Sequence, residues 1–234
     1  NNEGGFTVQA ITEPRKVLLI DGRPRWESRY LRNLFDRDQR WQVNPLFAGV
    51  KTEGEPWRRG DETGAFPRDI ESLFKYDLII LGDVPSGFLT ETEQGWIRDF
   101  VGDRGGGLVL VDGARGHLQG FNKPAMAELL PVQWLGDDIT ATAQPQRVKL
   151  TAAGQGQSAL RLLSDPLDNA SLWTELQPPH WIAAVKALPG AEVLAEAVVG
   201  ERVTPAIVQR SYGAGRVLYM AFDETWVPER CSST

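Results

Sequence analysis

Residues 108–117 read LVLVDGARGH. Four aliphatic residues in a row are the mark of a strand buried on both faces, and the Asp112-Gly113 pair after them is a common turn dipeptide. The stretch is therefore a buried strand running into a glycine turn, the place where many α/β enzymes hold a nucleophile. Two earlier stretches repeat the pattern. KVLLI at 16–20 stops at Asp21-Gly22, and DLIIL at 77–81 stops at the turn GDVPSG. Helical spacing lies between the strands. Trp26, Tyr30, Leu31, Leu34 and Phe35 recur on one face opposite Arg25, Arg29 and Arg32. A second helix is expected from about Thr90 to Val101, where Thr90 and Glu93 form a capping-box pattern. WQVNPLF at 41–47 supplies another strand. GVKTEGEPWRRGDETGAFP at 49–67 has no period and reads as a long surface loop in which Trp57 is partly exposed. Strand, helix and strand at this spacing imply right-handed parallel crossovers, and so an α/β fold with a doubly wound, mostly parallel sheet.

Past Pro131 the pattern changes. ITATAQPQRVKL alternates like a half-exposed strand, and PPHWIAAVKALPGAEVLAEAVV breaks its short apolar runs with turn signals. TPAIVQRSYGAGRVLYMAFD at 204–223 reads as a hairpin joined around Tyr212-Gly213-Ala214-Gly215. An antiparallel C-terminal extension is therefore expected. With 234 residues, 41% of them hydrophobic, no internal repeat and no low-complexity linker, one domain is the better count.

Composition excludes several functions. The chain carries 31 acidic against 25 basic residues, a net charge of −6, so its field repels nucleic acid and anionic membranes. No apolar run approaches the roughly 20 residues that span a bilayer, so this segment is not expected to insert directly in a membrane. The single cysteine, Cys231, excludes an internal disulfide and a thiolate cluster. His117 and His180 are the only histidines, and no HExxH or CxxC motif occurs. Neither a metal nor a cofactor is expected.

The order KVLLIDG, YDLIILGD, a helix, GGGLVLVDG and GAGRVLYMAFDE resembles the class I glutamine amidotransferase-like fold, which is flavodoxin-like. More narrowly, DGRPRWESRYLRNLF at 21–35, GGGLVLVDGARGH at 105–117, AELLPV at 127–132 and GRVLYMAFDETW at 215–226 resemble the amidotransferase-like domain of large, mostly uncharacterised bacterial membrane proteins that also carry von Willebrand factor A domains. This resemblance implies an amidotransferase-like α/β domain over 15–226 and a tail at 227–234. It also implies an N-terminal extension at 1–14, the last strand of a preceding β-sandwich. Amidotransferases of this class place their cysteine in a G-x-C-x-G elbow followed later by H-x-E. Laid over DGARGH, the cysteine position falls on Ala114, and neither histidine is followed by an acid two residues on. The triad is absent, and covalent amidase chemistry is lost with it.

Residues just beyond the strand ends remain as candidates, because open α/β sheets bind ligands there. They are Asp21, Arg23, Arg25 and Glu27 after the first strand, Asp83 after DLIIL, Asp112, Arg115 and His117 after LVLV, and Asp223 and Glu224 after VLYMAF. Together they would line a mixed-charge crevice whose arginines bind a small anionic ligand. Each also has a structural reading. Asp-Gly pairs make turns, arginine faces are commonly solvated, and Asp223 and Glu224 can pair with the arginines of DGRPRWE across the sheet ends.

The first expectation is a non-catalytic interaction or ligand-sensing domain whose partners are other domains of its polypeptide or envelope proteins. The resemblance implies that this polypeptide is bacterial and membrane-anchored through other segments, with the periplasmic side favoured. The second expectation is a hydrolase or lyase using Asp112, His117 or Glu224 as acid or base, which requires these groups to converge.

Overall fold

The computed structural model describes residues 13–48, 57–136 and 145–223. Its strands are β1 (Arg15–Asp21), β2 (Trp41–Phe47), β3 (Leu78–Leu81), β4 (Gly107–Val111), β5 (Val132–Trp134), β6 (Arg147–Leu150), β7 (Val185–Ala187), β8 (Glu192–Val199), β9 (Arg202–Tyr212) and β10 (Gly215–Met220). Its α-helices are α1 (Trp26–Asp36), α2 (Ile70–Leu73), α3 (Glu91–Gly102), α4 (Ala152–Gln155) and α5 (Pro166–Glu175). Eight strands form one mixed sheet in the order β2-β1-β3-β4-β10-β9-β8-β6, and β5 pairs with β7 in a separate ribbon. From β2 through β10 all neighbours are parallel, and from β10 to β6 all are antiparallel. The chain is thus an α/β protein whose eight-stranded sheet is mostly parallel.

The continuous aliphatic runs are covered on both sides. Val17 and Leu19 of β1 join Ile80 and Val111 in a small cluster that α1 closes with Leu31 and Phe35. Leu18 and Ile20, on the other face, join the main core with Ile97 and Phe100 of α3 and Leu73 of α2. On α1, Tyr30 and Leu34 are exposed, although the spacing places them on the apolar stripe. The capping box of α3 is present, with Thr90 Oγ1 accepting from Glu93 N at 3.2 Å and Glu93 Oε2 accepting from Thr90 N at 2.8 Å.

Residues 57–66 correct the expected surface loop. Phe66 N donates to Arg58 O and Gly60 N to Phe66 O, which folds the segment back on itself. Trp57, only 5% exposed, is then stacked on Phe66 and tilted against Phe88. Polar composition disguised an anchor of the core, because three aromatic or small apolar residues suffice to pin a short segment. The expected C-terminal hairpin is β9 and β10. β10 then turns inward to pair with β4, so the antiparallel half is fused to the parallel half through one strand. Residues 1–12, ITAT at 139–142, Glu224 and the tail with Cys231 lie outside the described residues.

Candidate functional site

The carboxyl ends of β1, β3, β4 and β10 converge, and each delivers an aspartate. Glycines let them approach so closely. A Cβ on Gly22 would strike the Asp83 carbonyl, one on Gly113 would strike the Asp83 side chain, and one on Gly82 would lie 2.6 Å from Arg25 Nη2. The result is three polar clusters side by side.

In the first, the backbone of Arg25 is extended at the N-cap of α1, with its N–H donating to Ser28 Oγ at 2.9 Å. The guanidinium therefore turns back over the strand ends. Its Nε donates to Asp21 Oδ2 at 2.9 Å, and Nη1 donates to Asp223 Oδ2 at 2.6 Å. Burial pushes the Asp21 carboxyl above its ordinary value, opposed in part by Arg25. Asp223 Oδ1 accepts from Trp181 Nε1 at 2.8 Å. In the second cluster, buried Asp83 accepts from Arg115 Nε at 3.1 Å and from the backbone N–H of His117 at 2.9 Å, and His117 Nδ1 lies 3.2 Å from the Asp83 carbonyl.

In the third cluster no cation meets the carboxylate, and Arg25 Nη1 reaches only the Asp112 carbonyl, at 3.5 Å. Asp112 is 1% exposed. Its Oδ2 accepts from Tyr219 Oη at 2.7 Å and from Trp134 Nε1 at 2.8 Å, and its Oδ1 accepts from Gly113 N at 2.9 Å. Burial pushes this carboxyl up to about 6, against the pull of its three neutral donors. Both lone pairs of Oδ2 are committed, so Oδ1 keeps the remaining acceptor position. Asp112 lines a narrow cleft with Gly113, Gly116, Gln119, Trp134 and Ala183, whose open volume of about 10 Å³ is room for one water.

The structure therefore divides the expected crevice. It joins Asp21 to Arg25 and Asp223, and Asp83 to Arg115 and His117, while the Asp112 carboxylate faces two aromatic rings. The pairing expected between the arginines of DGRPRWE and the end of the last strand is present as Arg25 with Asp223. Arg23 is exposed, and its side chain makes no ion pair among the described residues. Ala114 is exposed at the turn after β4. Glu224 and the side chain of Glu27 lie outside the described residues. Of the acids and bases expected to converge on Asp112, His117 is drawn to Asp83 instead. Trp134, Tyr219 and Gln119 were not among the sequence candidates. Tyr219 sits in VLYMAF, where the apolar run announces only core, and Trp134 lies in PVQW, which carries no signal of a partner 22 residues away.

No family model matches the sequence, and no curated protein matches it. Among solved structures the chain is similar to a cytoplasmic protein from Salmonella typhimurium, with 18% identity, 89% of this chain and 87% of that one covered, and a TM-score of 0.59. It is also similar to Agd3, a carbohydrate deacetylase, with 10% identity and a TM-score of 0.53; 90% of this chain but only 30% of the deacetylase is covered. A ThuA-like protein from Bacteroides uniformis aligns at 14% identity over 94% of this chain and 86% of that one, with a TM-score of 0.47. These likenesses are of fold. The first two, with no family model matching, overturn the expected kinship with the von Willebrand factor A-associated, membrane-associated amidotransferase-like domains. Part of the pattern behind it, aliphatic strands followed by Asp and Gly, suits a parallel sheet buried on both faces, and the segments DGRPRWE and DETW that made it more specific do not outweigh these findings. Among the described residues no helix is long and apolar enough to cross a membrane.

Proposed function

We propose that the chain is a hydrolase-type domain directed at carbohydrates, in which Asp112 activates a water held in the cleft beside it. The observation that carries this reading is the setting of Asp112, a buried carboxyl raised to about 6 whose Oδ1 retains an acceptor position beside a space the size of one water. In the ionised form Oδ1 takes a proton from that water as the water oxygen attacks the electrophilic carbon. The proton then passes to the leaving oxygen, so no covalent enzyme intermediate is needed. Trp134 and Gln119 line the cleft and are each half-buried, so they can offer a ring and an amide to a sugar lying outside it. The similarity to a carbohydrate deacetylase supports the substrate class through fold alone. The finer fold reading, a flavodoxin-like doubly wound arrangement, is supported by the order β2-β1-β3-β4-β10, with α1 and α3 on opposite faces.

A second reading keeps the site non-catalytic. It is favoured by Arg25 and Arg115, which fill the strand ends with ion pairs and leave Asp112, among the described residues, without a second acid or base bonded to its carboxylate. One assay separates the two. Release of acetate from acetylated sugars and of phenol from aryl glycosides is measured for the wild type and for Asp112→Asn. The catalytic reading expects turnover that rises as pH passes about 6 and that Asp112→Asn abolishes. Turnover unaffected by the substitution, or none above buffer, overturns it.

A further inference from the structure

A second recess lies beside the amino-terminal ends of β1 and β2, at the end of the sheet away from Asp112. Its open volume is about 80 Å³, enough for several waters or a small organic group. Lys16, Gln42, Asn44, Asp61, Thr63 and Tyr76 line it. Lys16 stands opposite Gln42 and Leu18 opposite Asn44 in the parallel register, so Lys16, Gln42 and Asn44 project from one face of the sheet.

Asn44 frames the recess. Its Oδ1 accepts from Gly64 N at 2.7 Å, and its Nδ2 donates to Ala65 O at 3.0 Å and to Tyr76 Oη at 2.9 Å. The amide thereby ties the 57–66 segment to β2 and fixes the Tyr76 hydroxyl. Because Oη accepts from Asn44, its own proton is left to donate, and it makes no hydrogen bond as donor among the described residues. The Lys16 ammonium, the Gln42 amide and the Thr63 hydroxyl likewise have no side-chain partner among the described residues. Asp61 is engaged by Ser72 Oγ at 3.0 Å and by Arg68 at 3.0 Å, yet a carboxylate so placed can still accept.

These groups select by type. The Asp61 carboxylate opposes an anion, and the Lys16 ammonium opposes a cation. Neutral hydroxyls satisfy both, and adjacent hydroxyls use the mixed donor and acceptor capacity of Gln42 and Thr63 as well. We propose that this recess binds the vicinal-hydroxyl edge of a sugar ring, with the Tyr76 O–H and the Lys16 ammonium donating and Gln42 and Asp61 accepting. This site does not depend on any chemistry at Asp112.

The test is a titration of the ¹⁵N-labelled chain with methyl α-D-glucopyranoside and methyl α-D-mannopyranoside, followed by heteronuclear NMR. A saturable shift is expected at the Gln42 side-chain amide and at the Gly64 N–H. Tyr76→Phe and Gln42→Leu should each weaken it about tenfold, the loss of one hydrogen bond, and Asp112→Asn should leave it unchanged. The Gln42 variant alters an exposed strand position, so it stays informative if the tyrosine variant folds poorly. Linear drift without saturation, or affinity unchanged from the wild type in both variants, overturns the proposal. Shifts confined to the Trp134 indole N–H and the Gln119 amide overturn it while supporting the Asp112 cleft. Saturation at Gln42 in a chain without hydrolytic turnover supports it while the catalytic reading fails.

Discussion

At the carboxyl end of β1 the Asp21 carboxylate faces a guanidinium, whereas at the carboxyl end of β4 the Asp112 carboxylate faces an indole, a phenol and a backbone amide. Both acids are buried, and burial pushes both above the ordinary carboxylate value. Their partners make the difference. Arg25 sets one cation between Asp21 and Asp223, so the charge of that cluster is offset in part by structure. The three donors around Asp112 orient its oxygens but add no positive charge, so it is left to neutralise itself by binding a proton near neutral pH. Neighbouring strand ends thus hold one carboxylate paired with a cation and one bonded only to neutral donors.

The largest expected effect breaks the first half of that contrast. Arg25→Met removes the one group shared by Asp21 and Asp223 and leaves a buried and a half-buried acid facing each other's space. A loss of about 3 kcal/mol in urea unfolding at neutral pH is expected, since breaking a buried pair strands its partner. Arg25→Lys should recover only part of this, because an ammonium cannot serve both carboxylates with the geometry of Nε and Nη1. A loss under about 1 kcal/mol for the methionine variant would mean that water supplies the compensation assigned to Arg25.

The second effect sharpens the other half. The folded-state value of Asp112, about 6, lies above its ordinary 3.8, so the native state binds more protons than the unfolded chain between those limits. Its stabilising contribution is full below about pH 4 and is lost as pH rises through 6. Compared with Asp112→Asn, which cannot titrate, the wild type should therefore lose up to about 3 kcal/mol of relative stability across that window. The curves of unfolding free energy against pH would then converge or diverge there and run parallel above about pH 7. Parallel curves throughout would show that Asp112 stays ionised on its neutral donors alone.

Much of this architecture was legible because the physics is local. VLLI, LIIL and LVLV have no polar residue to turn toward water, so they had to be interior strands, and the turns carrying Asp and Gly had to end them. The resulting positions of Asp21, Asp83 and Asp112 at the strand ends follow directly. Their sorting into clusters does not. Whether Arg25 reaches Asp223, 198 positions away, depends on β10 pairing beside β4, which no local pattern announces. For the same reason Tyr219 read as core filling, and its hydroxyl contact with Asp112 came only with the strand order. Trp57 shows the converse error, because charged neighbours concealed a buried ring that the fold uses to close its loop.

The smallest expected effect tests whether the donors around Asp112 act through charge or through packing. Trp134→Phe keeps an aromatic ring near Tyr219, whose ring it meets edge-on at 5.9 Å, but it deletes the N–H that donates to Asp112 Oδ2. If the indole stabilises the ionised carboxylate, its loss should cost about 1–2 kcal/mol at about pH 8, where Asp112 carries charge. The same substitution should cost much less near pH 5, where the carboxyl is largely protonated, and the titration midpoint should move above 6. Equal costs at both pH values would assign Trp134 to packing, and the ionisation of Asp112 would then rest on Tyr219 and Gly113. A cost that grows with pH would mean that the cleft itself tunes the acid it exposes, because the ring lining the cleft is also the donor that keeps Asp112 available as a base.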